Sequence, residues 1–316
     1  REDTGVADLV AFILYLNVLA WPMAAFGWMI SLIERGRAAM ERLEEIFQVQ
    51  PSIADPKHSV SLKDRERGIE FRNVSFAYNG ADDTEVVLRN ISFEVLPGRT
   101  VAIVGRTGSG KSTLTHLIPR LYDATSGTIY MGGVDVRSLS LEDLRGAIGY
   151  VPQSPFLFSS SIQDNLKFGN AGASEKEIHR VLGVADLESE VEVFPDGIDT
   201  RVGERGIALS GGQKQRTTLA RAILADPDYL ILDDCLSSVD SHTEQRILRS
   251  FERILKDKTC ILVSHRMAVV KEADEILVLE EGRIVERGDH ESLLRASGVY
   301  AQMYRRQQMS DELEEL

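Results

Sequence analysis

The feature that most constrains how this chain can fold is an uncharged apolar run of 25 residues near its start, Leu9–Ile33. The run contains no Asp, Glu, Lys, Arg or His. A helix of that length would reach about 38 Å, which is enough to cross a hydrocarbon core of about 30 Å with some tilt. The alternative, a buried helix of a soluble domain, seldom stays uncharged for so long. We therefore predict a transmembrane helix with a cytoplasmic extension in residues 1–50.

The charges that flank the run predict its orientation. Arg35, Arg37 and Arg42 follow it, whereas Arg1, Glu2, Asp3 and Asp8 precede it. Because cytoplasmic loops of membrane proteins carry the basic excess, the C-terminal side of the helix should face the cytoplasm. A secretory signal would have a shorter apolar region and a small-residue cleavage site. A single span in a chain that does not begin with Met also suggests a piece of a longer protein.

Composition excludes several classes of protein. The 316 residues include 36 basic and 49 acidic side chains, which give a formal net charge of −13. A general nucleic-acid binder would need a basic surface along the phosphates, so we expect no nucleic-acid partner. The two cysteines, Cys235 and Cys260, are too few for a disulfide scaffold and lack the spacing of a zinc site.

After a polar linker at residues 51–67, short β-rich runs alternate with helical ones. The runs predicted to be strands are Ile69–Phe76, Ile91–Val95, Thr100–Val104, Ile148–Val151, Tyr229–Leu232 and Cys260–Val263. The predicted helices include Ser112–Leu121 and Gln213–Ala225. This alternation is typical of an α/β domain with a mostly parallel central sheet.

A glycine-rich loop follows the predicted strand Thr100–Val104 and matches the pattern G-x-x-x-x-G-K-[ST]. Glycines let the backbone curl until successive N–H groups point at phosphate oxygens, and the next helix adds its positive N-terminus. Lys111 can reach the β- and γ-phosphates of a nucleotide, and the Ser112 hydroxyl can ligate Mg²⁺. The predicted phosphate-binding residues are Gly105, Arg106, Thr107, Gly108, Ser109, Gly110, Lys111, Ser112 and Thr113.

Two further segments carry candidate chemistry. The apolar run Tyr229–Leu232 should deliver Asp233 from a strand end toward Mg²⁺, although an acidic residue there can also be a simple cap. The segment Leu209–Gln213 precedes an apolar-periodic helix, whose start can present N–H groups and a hydroxyl to an anion. It is either a helix cap with a glycine turn or a second phosphate cradle, which would serve a nucleotide held by another chain.

The order and spacing of these motifs resemble those of a half-transporter of the ATP-binding cassette (ABC) exporter family, from about Gly5 to Arg306. The resemblance implies an α/β fold, in which the last transmembrane helix of the exporter precedes a P-loop NTPase domain of the ABC type with a mixed central sheet. It places this nucleotide-binding domain at residues 68–308, with a helical subdomain at about 145–225 and an acidic tail at 309–316.

The resemblance also implies roles for single residues. Tyr78 matches the aromatic residue that stacks on adenine, Gln153 the glutamine that senses Mg²⁺, and His265 the switch histidine. The implied cofactors are ATP and Mg²⁺, and the implied metal ligands are Ser112, Gln153 and Asp233. The implied catalytic residues are Asp234, His265 and Gln153. The signature sequence that acts on the partner site comprises Leu209, Ser210, Gly211, Gly212 and Gln213, and Asp240 belongs to the loop that faces the opposite site.

One position departs from the family pattern. The catalytic carboxylate that follows the aspartate of the Walker B strand is normally Glu in this family, and here it is Asp234. Because Asp is one methylene shorter, its carboxylate should fall short by about 1.5 Å. A misplacement of about 1 Å can cost on the order of a hundredfold in rate, so we expect this site to bind ATP and hydrolyse it slowly. The alternative is a small backbone shift that leaves Asp234 fully active.

These features lead to an expectation for the assembly. In the family, each ATP lies between the phosphate loop of one cassette and the signature of another, and its hydrolysis is coupled to export. We therefore expect a heterodimer with a second half-transporter that supplies the catalytic Glu. Further expected partners are the remaining transmembrane helices and membrane lipid, in a plasma or inner membrane with the cassette in the cytoplasm. The alternatives are a regulatory cassette that binds ATP without hydrolysis and a soluble cassette ATPase, which the apolar helix disfavours.

Overall fold

The computed structural model describes residues 5–62, 68–78, 86–239, 243, 246–247, 250 and 258–314. The chain divides into two compact units between Ser52 and Ile53. This division lies inside the segment that we predict to be the linker.

The first unit is a single helix, α1 (Val6–Gln48), of 43 residues. By length and composition, α1 could cross a membrane, as we predict for this part of the chain. None of its side chains is buried in the structure, so its apolar surface must be covered by lipid or by other protein segments. Its one uncharged polar amide within the apolar run, Asn17, donates a hydrogen bond to the Ile13 carbonyl at 3.1 Å. This bond lowers the cost of placing Asn17 in hydrocarbon.

The second unit contains ten strands among its described residues. They are β1 (Ile69–Phe76), β2 (Leu88–Val95), β3 (Thr100–Val104), β4 (Ser126–Met131), β5 (Val134–Asp135), β6 (Ile148–Val151), β7 (Tyr229–Asp233), β8 (Thr259–Val263), β9 (Glu275–Glu280) and β10 (Arg283–Gly288). Six of them form a central sheet in the order β10–β9–β3–β8–β7–β6. Its strands pair in parallel, except for the antiparallel pairing of β10 with β9. The predicted α/β fold with a mixed central sheet is confirmed.

The remaining strands form a separate antiparallel sheet in the order β2–β1–β4–β5. The sequence pattern does not separate these early strands from the central sheet. The antiparallel pairing of β1 with β2 follows from the short connection between them, residues 77–87, because parallel strands need a crossover of a dozen or more residues. Two consecutive strands with so short a connection pair antiparallel.

Helices cover the central sheet. After α1, the described residues form α2 (Lys111–Leu117), α3 (Leu141–Gly146), α4 (Ile162–Lys167), α5 (Glu175–Val184), α6 (Glu188–Val193), α7 (Gly211–Leu224), α8 (Met267–Val270), α9 (His290–Ala296) and α10 (Val299–Glu314). One hydrophobic core joins α2, the antiparallel sheet and the central strands. A second core joins α4, α5, α6 and α7 to β6, β7 and β8. The strands that carry the candidate site are therefore buried on both faces.

Helix α2 ends earlier than predicted. It stops at Leu117, whereas the sequence pattern predicts a helix to Leu121. Pro119 has no N–H to continue the helical hydrogen bonds. Arg120 then adopts a left-handed conformation with φ of 53°. The predicted C-terminal end was wrong because this proline and the turn after it outweigh the apolar spacing.

The described part of the linker packs on the second unit. Leu62 is buried, and Val60 forms a parallel bridge with Leu139. The Asp55 carboxylate accepts a hydrogen bond from the Leu141 N–H at 2.7 Å, at the start of α3. Residues 53–62 are therefore fastened to the rest of the second unit by specific contacts.

The doubly buried central sheet leads to a stability prediction. Ile261 lies in β8, is fully buried, and is flanked by β3 and β7. We expect Ile261→Ala to lower the free energy of unfolding by about 2–5 kcal/mol, because a cavity replaces buried methyl groups. The control is Val285→Ala on the edge strand β10, where the side chain is exposed and a change within about 0.5 kcal/mol is expected. Urea unfolding followed by circular dichroism measures both, and equal losses would contradict the assignment of the core.

Candidate functional site

The predicted phosphate loop joins the end of β3 to the start of α2. Gly105 has no space for a side chain, because a Cβ atom there would collide with the Leu279 carbonyl oxygen of β9. Gly108 and Gly110 have φ of 82° and 102°, a conformation that L side chains rarely adopt. The glycines of the motif are thus needed for the shape of the loop. The Ser109 hydroxyl is buried and has no hydrogen-bond partner, which leaves a polar group for a ligand to satisfy.

Lys111 lies under this loop with its side chain buried. Its ammonium donates hydrogen bonds to the carbonyl oxygens of Gly105 at 2.8 Å and Arg106 at 2.9 Å. Burial lowers the pKa of Lys111, although the nearby charges of Asp233 and Asp234 act in the opposite direction. Because burial removes water from the Lys111 ammonium, an anion that binds next to it would stabilise its charged form, as Asp233 and Asp234 do. The arrangement therefore favours binding of phosphate groups.

Asp233 ends β7 beside α2. Its carboxylate accepts one hydrogen bond from the Ser112 hydroxyl at 3.2 Å and another from the Thr115 hydroxyl at 3.2 Å. Burial raises the pKa of Asp233, and these two hydrogen bonds partly offset the shift. The predicted proximity of Ser112 and Asp233 is present, whereas Thr115 was missed. Its spacing of four residues from Lys111, on one face of α2, is the signal that could have indicated it.

Asp234 follows directly and turns away from the strand. It has a left-handed φ of 49°, and its N–H donates to the Val263 carbonyl at 2.9 Å. The Gln153 amide donates to the Asp234 carboxylate at 3.4 Å. Burial lowers the pKa of His265; the Lys111 charge acts in the same direction, and the Asp234 and Asp233 charges oppose it. The three predicted catalytic residues, Gln153, Asp234 and His265, line the same cavity and therefore lie close together.

That cavity has a volume of about 350 Å³. Its walls come from the phosphate loop, the segment after β6, the ends of β7 and β8, and the residue before β2. The lining residues are Val87, Thr107, Gly108, Gly110, Lys111, Ser112, Thr113, Gln153, Asp233, Asp234, Val263 and His265. Five chain segments that are separated in sequence therefore surround one polar space.

The oxygen-bearing side chains here fit Mg²⁺. Ser112, Gln153 and Asp233 offer hydroxyl, amide and carboxylate oxygens, which are the ligands this ion prefers. No cluster of three or more His, Cys, Asp or Glu side chains that could hold a metal by itself occurs in the described residues.

Tyr78 lies beside the phosphate loop but is not among the residues that line the cavity. Its hydroxyl is 3.1 Å from the Thr113 hydroxyl. Its ring packs edge-on against Phe76 at 4.9 Å and Tyr122 at 5.2 Å, and 38% of the residue is exposed. The predicted stacking on adenine thus stays a prediction. Tyr122 was missed by the sequence analysis because it is near only through the fold.

The predicted signature segment begins α7. Ser210 caps the helix, with its hydroxyl accepting from the Gln213 N–H at 3.2 Å and its own N–H donating to the Gln213 amide oxygen at 2.8 Å. None of the residues 209–213 lines the cavity of the phosphate loop. Asp240, the other residue predicted to act on the opposite site, lies outside the described residues.

Comparison with known proteins identifies relatives of the whole chain. The family model described as "ABC transporter" matches residues 88–237. A probable multidrug resistance ABC transporter ATP-binding/permease protein of Bacillus subtilis, YheI, is 42% identical over 98% of this chain and 52% of its own length. ATP-binding cassette sub-family B member 6 of Xenopus tropicalis is 41% identical over 97% of this chain and 36% of its own length.

A solved structure of a bacterial Atm1-family ABC exporter with ATP bound matches with a TM-score of 0.83 and 37% identity. The match covers 96% of this chain and 53% of that structure's chain. The chain thus spans about half the length, or less, of the proteins that it matches.

The position of Tyr78 leads to a prediction about nucleotide binding. If its ring stacks on adenine, Tyr78→Ala should weaken the binding of a fluorescent ATP analogue by about 1–3 kcal/mol. Tyr78→Phe removes the hydroxyl next to Thr113 and keeps the ring, so it should bind nearly as tightly as the unmodified protein. Equal weakening by both changes would instead assign the effect to the hydroxyl, and unchanged binding by Tyr78→Ala would make Tyr78 a packing residue.

A third variant reports on stacking directly. Tyr78→Trp should be tolerated, and it adds a tryptophan to a domain that has none, since the chain's own tryptophans are Trp21 and Trp28 in α1. Stacking on adenine should change the fluorescence of the new tryptophan when ATP is added, whereas the unmodified protein serves as the background.

Proposed function

The chain belongs to the ABC transporter family, and from this premise we propose that it is the ATP-binding and hydrolysing part of an ABC exporter subunit. The observation that carries the proposal is the single cavity around which Lys111, Asp233, Asp234 and His265 lie. A soluble cassette ATPase remains disfavoured, because α1 is long and apolar enough to cross a membrane. Because basic residues are in excess after the apolar run, the cassette is proposed to lie on the cytoplasmic side of the membrane.

In the proposed site, ATP binds through its phosphates and its base. Lys111 and the loop N–H groups hold the phosphates, with the Ser109 hydroxyl as a further donor, and Tyr78 supplies a stacking surface for adenine. Ser112, Gln153 and Asp233 would hold Mg²⁺, which would neutralise charge on the phosphates. The low pKa that burial gives His265 keeps the imidazole neutral near pH 7, so that it can act as a hydrogen-bond donor or acceptor to the γ-phosphate.

Asp234 is proposed to be the base that orients and activates the attacking water. It lies at the correct place in the chain, after Asp233, and the Gln153 amide contacts its carboxylate at 3.4 Å. The shorter side chain should place the carboxylate too far from the water. This site is therefore proposed to retain ATP and to hydrolyse it slowly. A cassette that only binds ATP is the second candidate, and the same residue favours it.

The signature segment supports a two-chain site. It caps α7 away from the cavity of its own phosphate loop, so within this chain it does not contact the phosphates bound there. Its N–H groups are proposed to face the γ-phosphate of ATP on a second half-transporter. A heterodimer whose other chain carries the catalytic Glu would then have one slow site and one fast site.

The length of Asp234 can be tested directly. Asp234→Glu should increase steady-state ATP hydrolysis at this site by up to about a hundredfold, because the longer side chain restores the position of the carboxylate. Asp234→Asn should reduce the total rate little, since the other site supplies most turnover. Phosphate release by the assembled transporter measures both. A large loss in Asp234→Asn would mean that the site is fully active and would contradict the slow-site proposal.

This chain is proposed to contribute its phosphate loop to one ATP site and its signature segment to the other. Each contribution can be tested with a change in this chain alone. Gly211→Asp places a carboxylate at the start of α7, where it would repel the γ-phosphate of the partner's ATP in a poorly hydrated space. We expect nearly complete loss of ATP hydrolysis. Lys111→Ala removes a phosphate contact at the slow site, so a measurable fraction of the rate should remain.

The structure offers a matched control for the first change. A Cβ atom on Gly211 would lie 3.5 Å from the Ser238 Cβ, an ordinary van der Waals distance. Gly211→Ala should therefore fold and keep most activity, so that the loss in Gly211→Asp reports the charge. Equal losses of ATP hydrolysis in Gly211→Asp and Lys111→Ala would indicate two equivalent sites. A larger loss in Lys111→Ala would mean that the slow site is the one with the phosphate loop of the second half-transporter.

A further inference from the structure

Gln215 lies one turn into α7, and nothing in the proposed function uses it. We infer that Gln215 is a positioning residue, which holds the signature segment Leu209–Gln213 in register with the turn Ser237–Val239 that follows Asp234. The inference rests on the proposed function, because the signature segment matters only if it acts on ATP.

The Gln215 side chain is 2% exposed and makes a forked contact with the turn. Its amide nitrogen donates to the Ser237 hydroxyl at 3.0 Å. Its amide oxygen accepts from the Ser238 N–H at 2.9 Å. A buried amide whose donor and acceptor are both used fixes the two segments in both distance and direction.

The backbones of the two segments are also close. A Cβ atom on Gly212 would lie only 2.9 Å from the Ser238 carbonyl oxygen, so a glycine is needed at this contact. The start of α7 and the turn are therefore in direct contact, and the two hydrogen bonds of the Gln215 amide, called the Gln215 fork below, link them across that contact. A shift of the turn would move the N–H groups at the start of α7.

The turn also bonds to the residue that follows His265. Arg266, the residue after His265, donates a hydrogen bond to the Val239 carbonyl at 2.8 Å. Asp234 begins the same turn, since its carbonyl accepts from the Ser237 N–H at 3.3 Å. Gln215 thus connects the signature, which is proposed to act on ATP of a second chain, with the residues proposed to act on this chain's own ATP. Changing it should lower the maximal rate and leave binding to the phosphate loop intact.

Two substitutions of Gln215 separate a positioning role from simple packing. Gln215→Met keeps the volume and loses both hydrogen bonds. Gln215→Glu keeps two acceptor oxygens, to which the Ser238 N–H and the Ser237 hydroxyl can both donate, but buries a carboxylate. If Gln215 only fills the core, Met should be tolerated better than the buried charge. If the fork positions the signature, Glu should retain more activity than Met.

The experiment measures kcat and KM for ATP, and the affinity for a fluorescent ATP analogue, in the assembled full-length protein. We expect Gln215→Met to lower kcat about tenfold, within the range that a small misplacement of catalytic groups produces, with nucleotide affinity changed less than about twofold. The matched control is Thr218→Val, which removes a buried hydroxyl whose partner among the described residues is the Lys214 carbonyl of its own helix, at 2.9 Å. That variant should keep kcat within about twofold.

Ser237→Ala completes the test and remains informative if Gln215→Met fails to fold, because the Ser237 side chain is exposed. It should lower kcat less than Gln215→Met, and the double variant should be no worse than Gln215→Met alone, since both changes remove the same bond. Full kcat in Gln215→Met, a better Met than Glu variant, or additive losses in the double variant would overturn the inference. Failure of the unmodified protein to bind or hydrolyse ATP would instead overturn the proposed function.

Discussion

The rest of the site depends on the interactions of the buried Lys111 ammonium. It lies under a loop whose two carbonyl oxygens it contacts, beside the carboxylates of Asp233 and Asp234. A cation in this position is costly unless opposite charge surrounds it, and burial accordingly lowers its pKa. The left-handed glycines of the loop, the Ser112–Asp233 hydrogen bond and the ends of the buried strands all serve to place charge around it. In the proposed site, a phosphate of ATP would complete this arrangement.

The parallel sheet explains why residues so distant in sequence can meet there. Strands β3, β7 and β8 are neighbours in the sheet and run in the same direction, so their carboxyl ends lie at one edge. The phosphate loop leaves β3, Asp233 ends β7, and His265 follows β8. Ligands of open α/β sheets bind at this edge, beyond the carboxyl ends of the strands. Helices and the antiparallel sheet bury the strands on both sides and so keep the edge rigid.

The predicted signature segment lies outside the cavity of this chain's own phosphate loop. Its capping bonds and the close contact of Gly212 with Ser238 stabilise the start of α7, yet none of its residues lines the cavity of the same chain. In the proposed dimer, the N–H groups at the start of α7 would complete a site on the second chain. The departure at Asp234 then affects only one of the two proposed sites, because the signature on this chain would serve the other.

Local patterns in the sequence determined the apolar helix, most strand positions, the phosphate loop and the acidic pair after β7, since each depends on residues that are close in the chain. The separation of the two sheets, the early end of α2 at Pro119, and the places of Thr115 and Tyr122 were decided by the tertiary structure. The Gln215 fork belongs with them, because a glutamine in a helix gives no signal of its own. Hydrogen-bond partners 22 and 23 residues away come within 3 Å of it only when the buried core fixes α7 against the end of β7.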